Sequence, residues 1–245
     1  MWSFREGLHV LIDTLRDRLR RPPVVGVRVK RIEQSPTGWL VHGDGHDLWQ
    51  PHAVVLACPA DEQARLLADV DPELADLVGG IAYNRIAVVA LGFRAADVPE
   101  CDGFGFIAPQ SQRRDILGVQ WCSSIFPGRA PDGMVLWRVL CGGWHRADVV
   151  DWDDGRLVAA VRAELRLAQG VTAEPVFVHI VRWKRAIPQY FVGHPERVAK
   201  IEERAARNPG LFLAGNAYHG VALNDCTEWA GIVAGRVAAY VTNYP

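Results

Sequence analysis

Leu211-Phe-Leu-Ala-Gly-Asn-Ala-Tyr-His-Gly-Val-Ala-Leu-Asn-Asp-Cys-Thr-Glu-Trp-Ala-Gly231 passes from a short apolar run, through small residues, into a stretch with helical spacing. Leu211 to Ala214 reads as a buried strand and Asp225 to Val241 as a helix. Gly215 and Gly220 remove Cβ atoms from the connection, so that backbone can come close to a flat ligand. Asn224 or Asp225 is placed to cap the helix, leaving its first N–H groups pointing back toward the loop, where negative charge is favoured. A tight corner between strand and helix uses the same residues, and the segment alone does not separate the two readings.

Upstream, Pro195 to Ala206 reads as a polar helix. Between Ile81 and Trp183 the chain is dominated by strands: Ile81 to Phe93, Gly105 to Ala108, Asp115 to Trp121, Met134 to Cys141 and Phe177 to Trp183. A helix from Asp154 to Gln169 carries Leu157, Val161, Leu165 and Ala168 on one face. Nearer the start, Ser3 with Glu6 has the spacing of a capping box. Phe4, Leu8, Leu11, Ile12, Leu15 and Leu19 follow at helical spacing, with Arg5, Arg16, Arg18 and Arg20 on the polar face. Pro22-Pro23 stops that helix before an alternating run from Val24 to Ile32. Trp39 to His42 resumes the strand pattern, Gly43-Asp44-Gly45 is a turn, Ala53 to Ala57 reads as a buried strand, and Pro59-Ala60-Asp61 starts a helix.

The chain has 245 residues, 49% hydrophobic and 22% charged, enough to bury a core. A formal net charge of -1 gives no basic footprint for nucleic acid. Cys58, Cys101, Cys122, Cys141 and Cys226 are widely spaced, with no C-x-x-C pair, so ordinary reduced thiols and no metal site are expected. No apolar run reaches the roughly 18 residues of a membrane span. The expected location is the cytoplasm, with peripheral contact to the inner membrane left open. His179 and His194, beside strands, read as satisfied core histidines.

Five stretches, in chain order, carry a resemblance: Phe4-Arg-Glu-Gly-Leu8, Gly103-Phe-Gly-Phe-Ile-Ala-Pro109, Ser123-Ser-Ile-Phe-Pro-Gly-Arg-Ala-Pro131, Ile187-Pro-Gln-Tyr190, and the glycine loop with Asn224-Asp-Cys226. Together they resemble the C-terminal half of the protoporphyrinogen oxidase family, within the flavin amine oxidase superfamily. The resemblance implies a mixed α/β (α+β) fold: the remainder of an FAD/NAD(P)-binding Rossmann-like domain, plus a mixed-sheet substrate-binding domain with packed helices. The implied boundaries are 1–80 and 186–245 for the FAD-domain parts and 81–185 for the substrate domain.

The same resemblance implies FAD as cofactor, with dioxygen as oxidant and a porphyrinogen of haem biosynthesis, protoporphyrinogen IX or coproporphyrinogen III, as substrate. It sets the Val29 backbone against the adenine side of FAD and Trp183 beside the isoalloxazine. Val221, Ala222 and Leu223 would lie on the flavin ring, with Gly215 and Gly220 making the room and the helix start favouring the reduced, anionic cofactor. Strands between about 81 and 183 would form an apolar slot for the tetrapyrrole, and Arg129, Arg138, His145 and Arg146 are candidate propionate partners. No catalytic acid or base is assigned.

Two departures stand out. Trp229 replaces a small or short polar residue of the family. No Gly-x-Gly-x-x-Gly run, which would hold the FAD pyrophosphate at a helix N-terminus, occurs in the sequence. The expectation is a truncated chain, inactive by itself and poorly soluble through an uncovered apolar surface, that pairs with an N-terminal half or with another copy. A non-catalytic tetrapyrrole- or partner-binding remnant and another flavin amine oxidase are the alternatives.

Overall fold

The computed structural model describes residues 3–244 and has the expected mixed α/β composition. In chain order, α1 (His9–Asp17) precedes β1 (Val29–Ser35), β2 (Gly38–Gly43), β3 (Leu48–Trp49), β4 (Val54–Leu56), α2 (Ala60–Leu67) and α3 (Pro72–Gly79). Next come β5 (Ile86–Arg94), β6 (Gly105–Ile107), β7 (Ile116–Gln120), α4 (Cys122–Ile125), β8 (Met134–Gly142), α5 (Asp154–Gln169) and β9 (Phe177–Trp183). Finally α6 (His194–Ala205) and β10 (Leu211–Leu213) lead to α7 (Leu223–Thr242). These elements divide into two compact units.

The first unit is Asn84–Ala186 together with the leading segment that ends at Pro22. Its five-stranded sheet has the order β6-β7-β8-β5-β9, every pair antiparallel. β5, an interior strand between β8 and β9, is apolar almost throughout: Ala87, Val89, Leu91 and Phe93 are fully buried in one core with Trp137 and Val139 of β8 and Leu157, Val161 and Leu165 of α5. Asp153 starts α5 by accepting a hydrogen bond from the Arg156 amide at 2.9 Å. Glu164 interrupts the apolar face of α5; it is buried and bridged by Arg114 Nε at 2.8 Å, which is how a charge is tolerated there.

Near the start of the chain, expectation and structure differ. The Ser3–Glu6 capping box does not form: the helix begins at His9 without a side-chain cap, and Ser3 Oγ accepts from Arg129 instead. This helix groups with the sheet unit rather than with residues 23–83. Leu8, Ile12, Leu15 and Leu19 are all exposed along it.

The second unit is Pro23–Tyr83 with the segment from Ile187 onward. It holds the antiparallel sheet β1-β2-β3 and the parallel pair β10-β4, in which Leu211 to Leu213 align with Val54 to Leu56. The strand expected from Val24 starts only at Val29. Ile32, Trp39, Leu67, Leu74, Val78 and Ile201 form the core with Leu211. Asp71 ties α3 to α6: it caps Leu74 N at 3.0 Å and accepts from Arg204 Nε at 2.8 Å and Asn208 Nδ2 at 3.0 Å. Within α7 only Val233 is fully buried. No helix among the described residues is long and apolar enough to cross a membrane, and no group of side chains there could hold a metal ion.

Candidate functional site

The loop between β10 and α7 is built as a hydrogen-bonded frame. Ala217 and Tyr218 are buried in it, and the Tyr218 hydroxyl donates to Gln63 Oε1 at 2.6 Å. Gln63 Nε2 donates to the carbonyls of Cys58, at 2.7 Å, and Ala214, at 3.0 Å, locking the ends of β4 and β10 together. Gly220 adopts φ +129°, and a Cβ there would lie 2.4 Å from the Asp225 side chain. Only glycine meets both conditions. The Asp225 carboxylate is drawn in because it accepts the Ala222 amide at 3.2 Å, capping α7 from its third residue rather than from the flanking position.

Gly215, Gly220, Val221, Ala222 and Leu223 therefore sit on one corner, with Val221, Ala222 and Leu223 exposed at the head of a 20-residue helix. An apolar patch beside free helix N–H groups suits a flat ring with one electron-rich edge. Val29 lines a cavity of about 370 Å³ with Val54–Cys58, Glu62 and Arg65. Ala57 and Cys58 of that cavity also lie next to Gly215, so β4 joins the two places. The Val29 carbonyl is engaged by Arg65 Nη2 at 2.8 Å. Trp183 belongs to the sheet unit; it ends β9, opposite Ile86, and is exposed.

The sheet unit carries a cavity of about 570 Å³ lined by Phe104, Phe106, Ile107, Leu117 and Leu140. Gly105 and Gly118 let β6 and β7 run close enough to form its wall, since a Cβ on either would meet the other strand's carbonyl below 2.5 Å. Leu117 is shared with a second depression, about 560 Å³, whose lining includes Arg113, Trp144, His145 and Arg146. Of the four propionate candidates, His145 lines this depression directly. Arg146 lines it too but is paired with Asp115 at 2.5 Å and with Asp148. Arg129 is spent on Ser3 and Phe4, and Arg138 on the Gln120 side chain.

Arg113, which sequence reasoning missed, is the one non-glycine residue with positive φ among the described residues, at +48°. Tyr190, quoted above only as a motif residue, bonds directly to the glycine loop. The motif marks Tyr190, but its bonds to the loop depend on chain segments brought together by the fold. His194 is the satisfied core histidine expected, its Nε2 3.2 Å from the Tyr218 carbonyl, whereas His179 is exposed. All five cysteines are free, and burial pushes the Cys141 thiol up to about 12. The indole N–H of Trp229 is buried without a hydrogen-bond partner among the described residues, and its ring packs on His219 with centroids 3.6 Å apart.

One unit carries a glycine loop between a strand and a helix, and the other an antiparallel sheet with an apolar slot. The chain belongs to the flavin containing amine oxidoreductase family, whose sequence profile matches residues 1–238. It is 32% identical over 99% of its length to the chloroplastic protoporphyrinogen oxidase of Oryza sativa subsp. japonica, covering 48% of that protein. It is 35% identical over 91% of its length to the coproporphyrinogen III oxidase of Propionibacterium freudenreichii subsp. freudenreichii, covering 42%. Among solved structures, one assigned as a protoporphyrinogen oxidase from Exiguobacterium sp. 255-15 superposes with a TM-score of 0.83 at 26% identity, over 97% of this chain and 52% of that one. The chain thus spans about half the length of the relatives it matches. FAD, the cofactor expected from the sequence, agrees with a family defined by flavin.

Proposed function

We propose that this chain serves the FAD-dependent oxidation of a porphyrinogen, protoporphyrinogen IX or coproporphyrinogen III, to the porphyrin of haem biosynthesis. The observation that carries this reading is the slot of about 570 Å³ on β6, β7 and β8. Its volume lies in the range of ligand pockets, and Phe104, Phe106, Ile107, Leu117 and Leu140 offer a macrocycle an apolar surface with almost no competing polar groups. Arg113 and His145, in the depression that shares Leu117, are the partners for the propionates, since Arg129 and Arg138 are occupied elsewhere.

Gly215, Gly220, Val221, Ala222 and Leu223 hold the flavin ring in this reading, and Val29 faces its adenine side. When bound, FAD accepts the electrons of the substrate and passes them to dioxygen. The protein's own part is to exclude water from the macrocycle, orient it and stabilise the electron-rich edge of the ring with the α7 amides. We place the reaction in the cytoplasm. In this reading turnover uses a Gly-x-Gly-x-x-Gly segment in addition to residues 1–245, because no such run occurs in their sequence.

The test supplies the chain with that segment and FAD and follows porphyrin fluorescence from each porphyrinogen. Porphyrin formation with release of hydrogen peroxide is expected. Turnover of amines but not porphyrinogens would assign the chain to another branch of the family. Porphyrin binding without any turnover would favour a non-catalytic tetrapyrrole carrier.

A further inference from the structure

The Ile187-Pro-Gln-Tyr190 motif has no part in the reading above, yet its last residue makes two hydrogen bonds to the glycine loop. The Tyr190 hydroxyl donates to the Asn216 carbonyl at 2.5 Å and accepts the Gly220 amide at 3.0 Å. One oxygen therefore staples the loop across its two ends. Only a hydroxyl serves this purpose, because one atom must be donor and acceptor at once.

The staple is itself held. The Gln189 amide donates to the Ala82 carbonyl at 2.8 Å, and Pro188 bridges Tyr83, fixing the segment that presents Tyr190. The Tyr190 ring stacks on His194 with centroids 3.9 Å apart and planes 10° from parallel. The His194 Nε2 proton in turn is directed at the Tyr218 carbonyl, 3.2 Å away, inside the same loop. A carbonyl can only accept, so Nε2 is the donor of this bond. Among the described residues the Gly220 amide meets no other acceptor than Tyr190, whereas Tyr218 is anchored separately on Gln63.

We propose that Tyr190 is the positioning residue of the 215–222 loop, setting where the backbone of Gly220 and Val221 stands relative to the flavin ring. This rests on the reading of the loop as the flavin-holding corner. A residue that only filled space could be Phe with no consequence, since the stack on His194 needs the ring and not the hydroxyl.

The test is Tyr190→Phe in the full chain, with Tyr190→Ala as a second variant that also removes the stack. Amide hydrogen exchange, read by NMR on glycine-labelled protein, is expected to quicken about tenfold at Gly220 in Tyr190→Phe, the scale of one lost hydrogen bond. Gly92, in the sheet unit, should be unchanged. In protein able to bind FAD, Tyr190→Phe should weaken the cofactor about tenfold and shift the flavin absorbance bands. Gly220 exchange identical in wild type and Tyr190→Phe would overturn the proposal, whatever Tyr190→Ala does. Faster exchange at Gly220 with unaltered flavin affinity and spectrum would also overturn it, because the loop would then be stapled for the fold alone. Failure of the wild type to bind FAD even with a Gly-x-Gly-x-x-Gly segment present would instead remove the flavin reading, and the proposal with it, regardless of the exchange result.

Discussion

The Tyr218 hydroxyl and the Gln63 side-chain oxygen meet at 2.6 Å where β4 and β10 end, both residues buried. Gln63 spends its amide protons on the Cys58 and Ala214 carbonyls, which closes this parallel pair. Burial holds the Tyr218 phenol far above its ordinary pKa. The unfolded chain ionises near pH 10, so the stability that neutral Tyr218 contributes is complete below that pH and lost as pH rises. Tyr218→Phe strands Gln63 Oε1 and should cost about 1–3 kcal/mol at neutral pH. It should also flatten the alkaline limb of thermal unfolding above about pH 10. An unchanged melting temperature together with an unchanged alkaline limb would refute the assignment.

Asp71 sets the acid limit of the same unit. Burial pushes its carboxyl up, but hydrogen bonds from Arg204, the Leu74 amide and Asn208, with the Arg204 charge, outweigh this and leave it below the ordinary range. Its side chain is 6% exposed. A depressed carboxyl contributes stability above the unfolded value, near 4, that is lost as pH falls through the folded one. Asp71→Asn should therefore destabilise by about 3 kcal/mol at pH 7, with a difference from wild type that narrows in acid. Denaturant melts at pH 7 and in acid measure both effects.

Gly105 tests the wall of the slot. A Cβ there would stand 1.8 Å from the Val119 carbonyl oxygen, with φ +129° besides, and backbone cannot move aside as a side chain would. Gly105→Ala should detach β6 from β7 at a cost of about 3 kcal/mol or more, read as a lower denaturation midpoint. Porphyrin binding should fall with it, since Phe104 and Phe106 leave their places.

Ile107 separates binding from folding. It lines the slot while 85% exposed, so Ile107→Glu should leave stability within about 0.5 kcal/mol. A carboxylate brought against an apolar macrocycle should weaken porphyrin binding at least about tenfold. Fluorescence quenching titrations decide it; equal affinity would place the macrocycle elsewhere.

The parts of the fold with a local cause were legible in the sequence. Helix α5 runs from Asp154 to Gln169 as its spacing predicts, because Leu157, Val161 and Leu165 mark the face and Asp153 marks the start. The strand, glycine loop and helix around Gly215 and Gly220 were equally plain. What could not be read was set by distant partners. The order β6-β7-β8-β5-β9 places β5 between two strands that follow it in the chain, which no periodicity reveals. The Ser3–Glu6 pattern lost to the Arg129 contact. The burial of Glu164 depends on Arg114, 50 positions away. Arg113 belongs with these, and so do the contacts of Tyr190, whose motif was legible but whose bonds to the glycine loop were not.

The most direct test is to mix flavin-loaded protein containing residues 1–245 with coproporphyrinogen III or protoporphyrinogen IX in the absence of dioxygen. Flavin absorbance and porphyrin fluorescence would be recorded together. The account predicts that the flavin bleaches as porphyrin appears and that its colour returns when dioxygen is admitted. A flavin that stays oxidised before both porphyrinogens, while an amine bleaches it, would contradict the account.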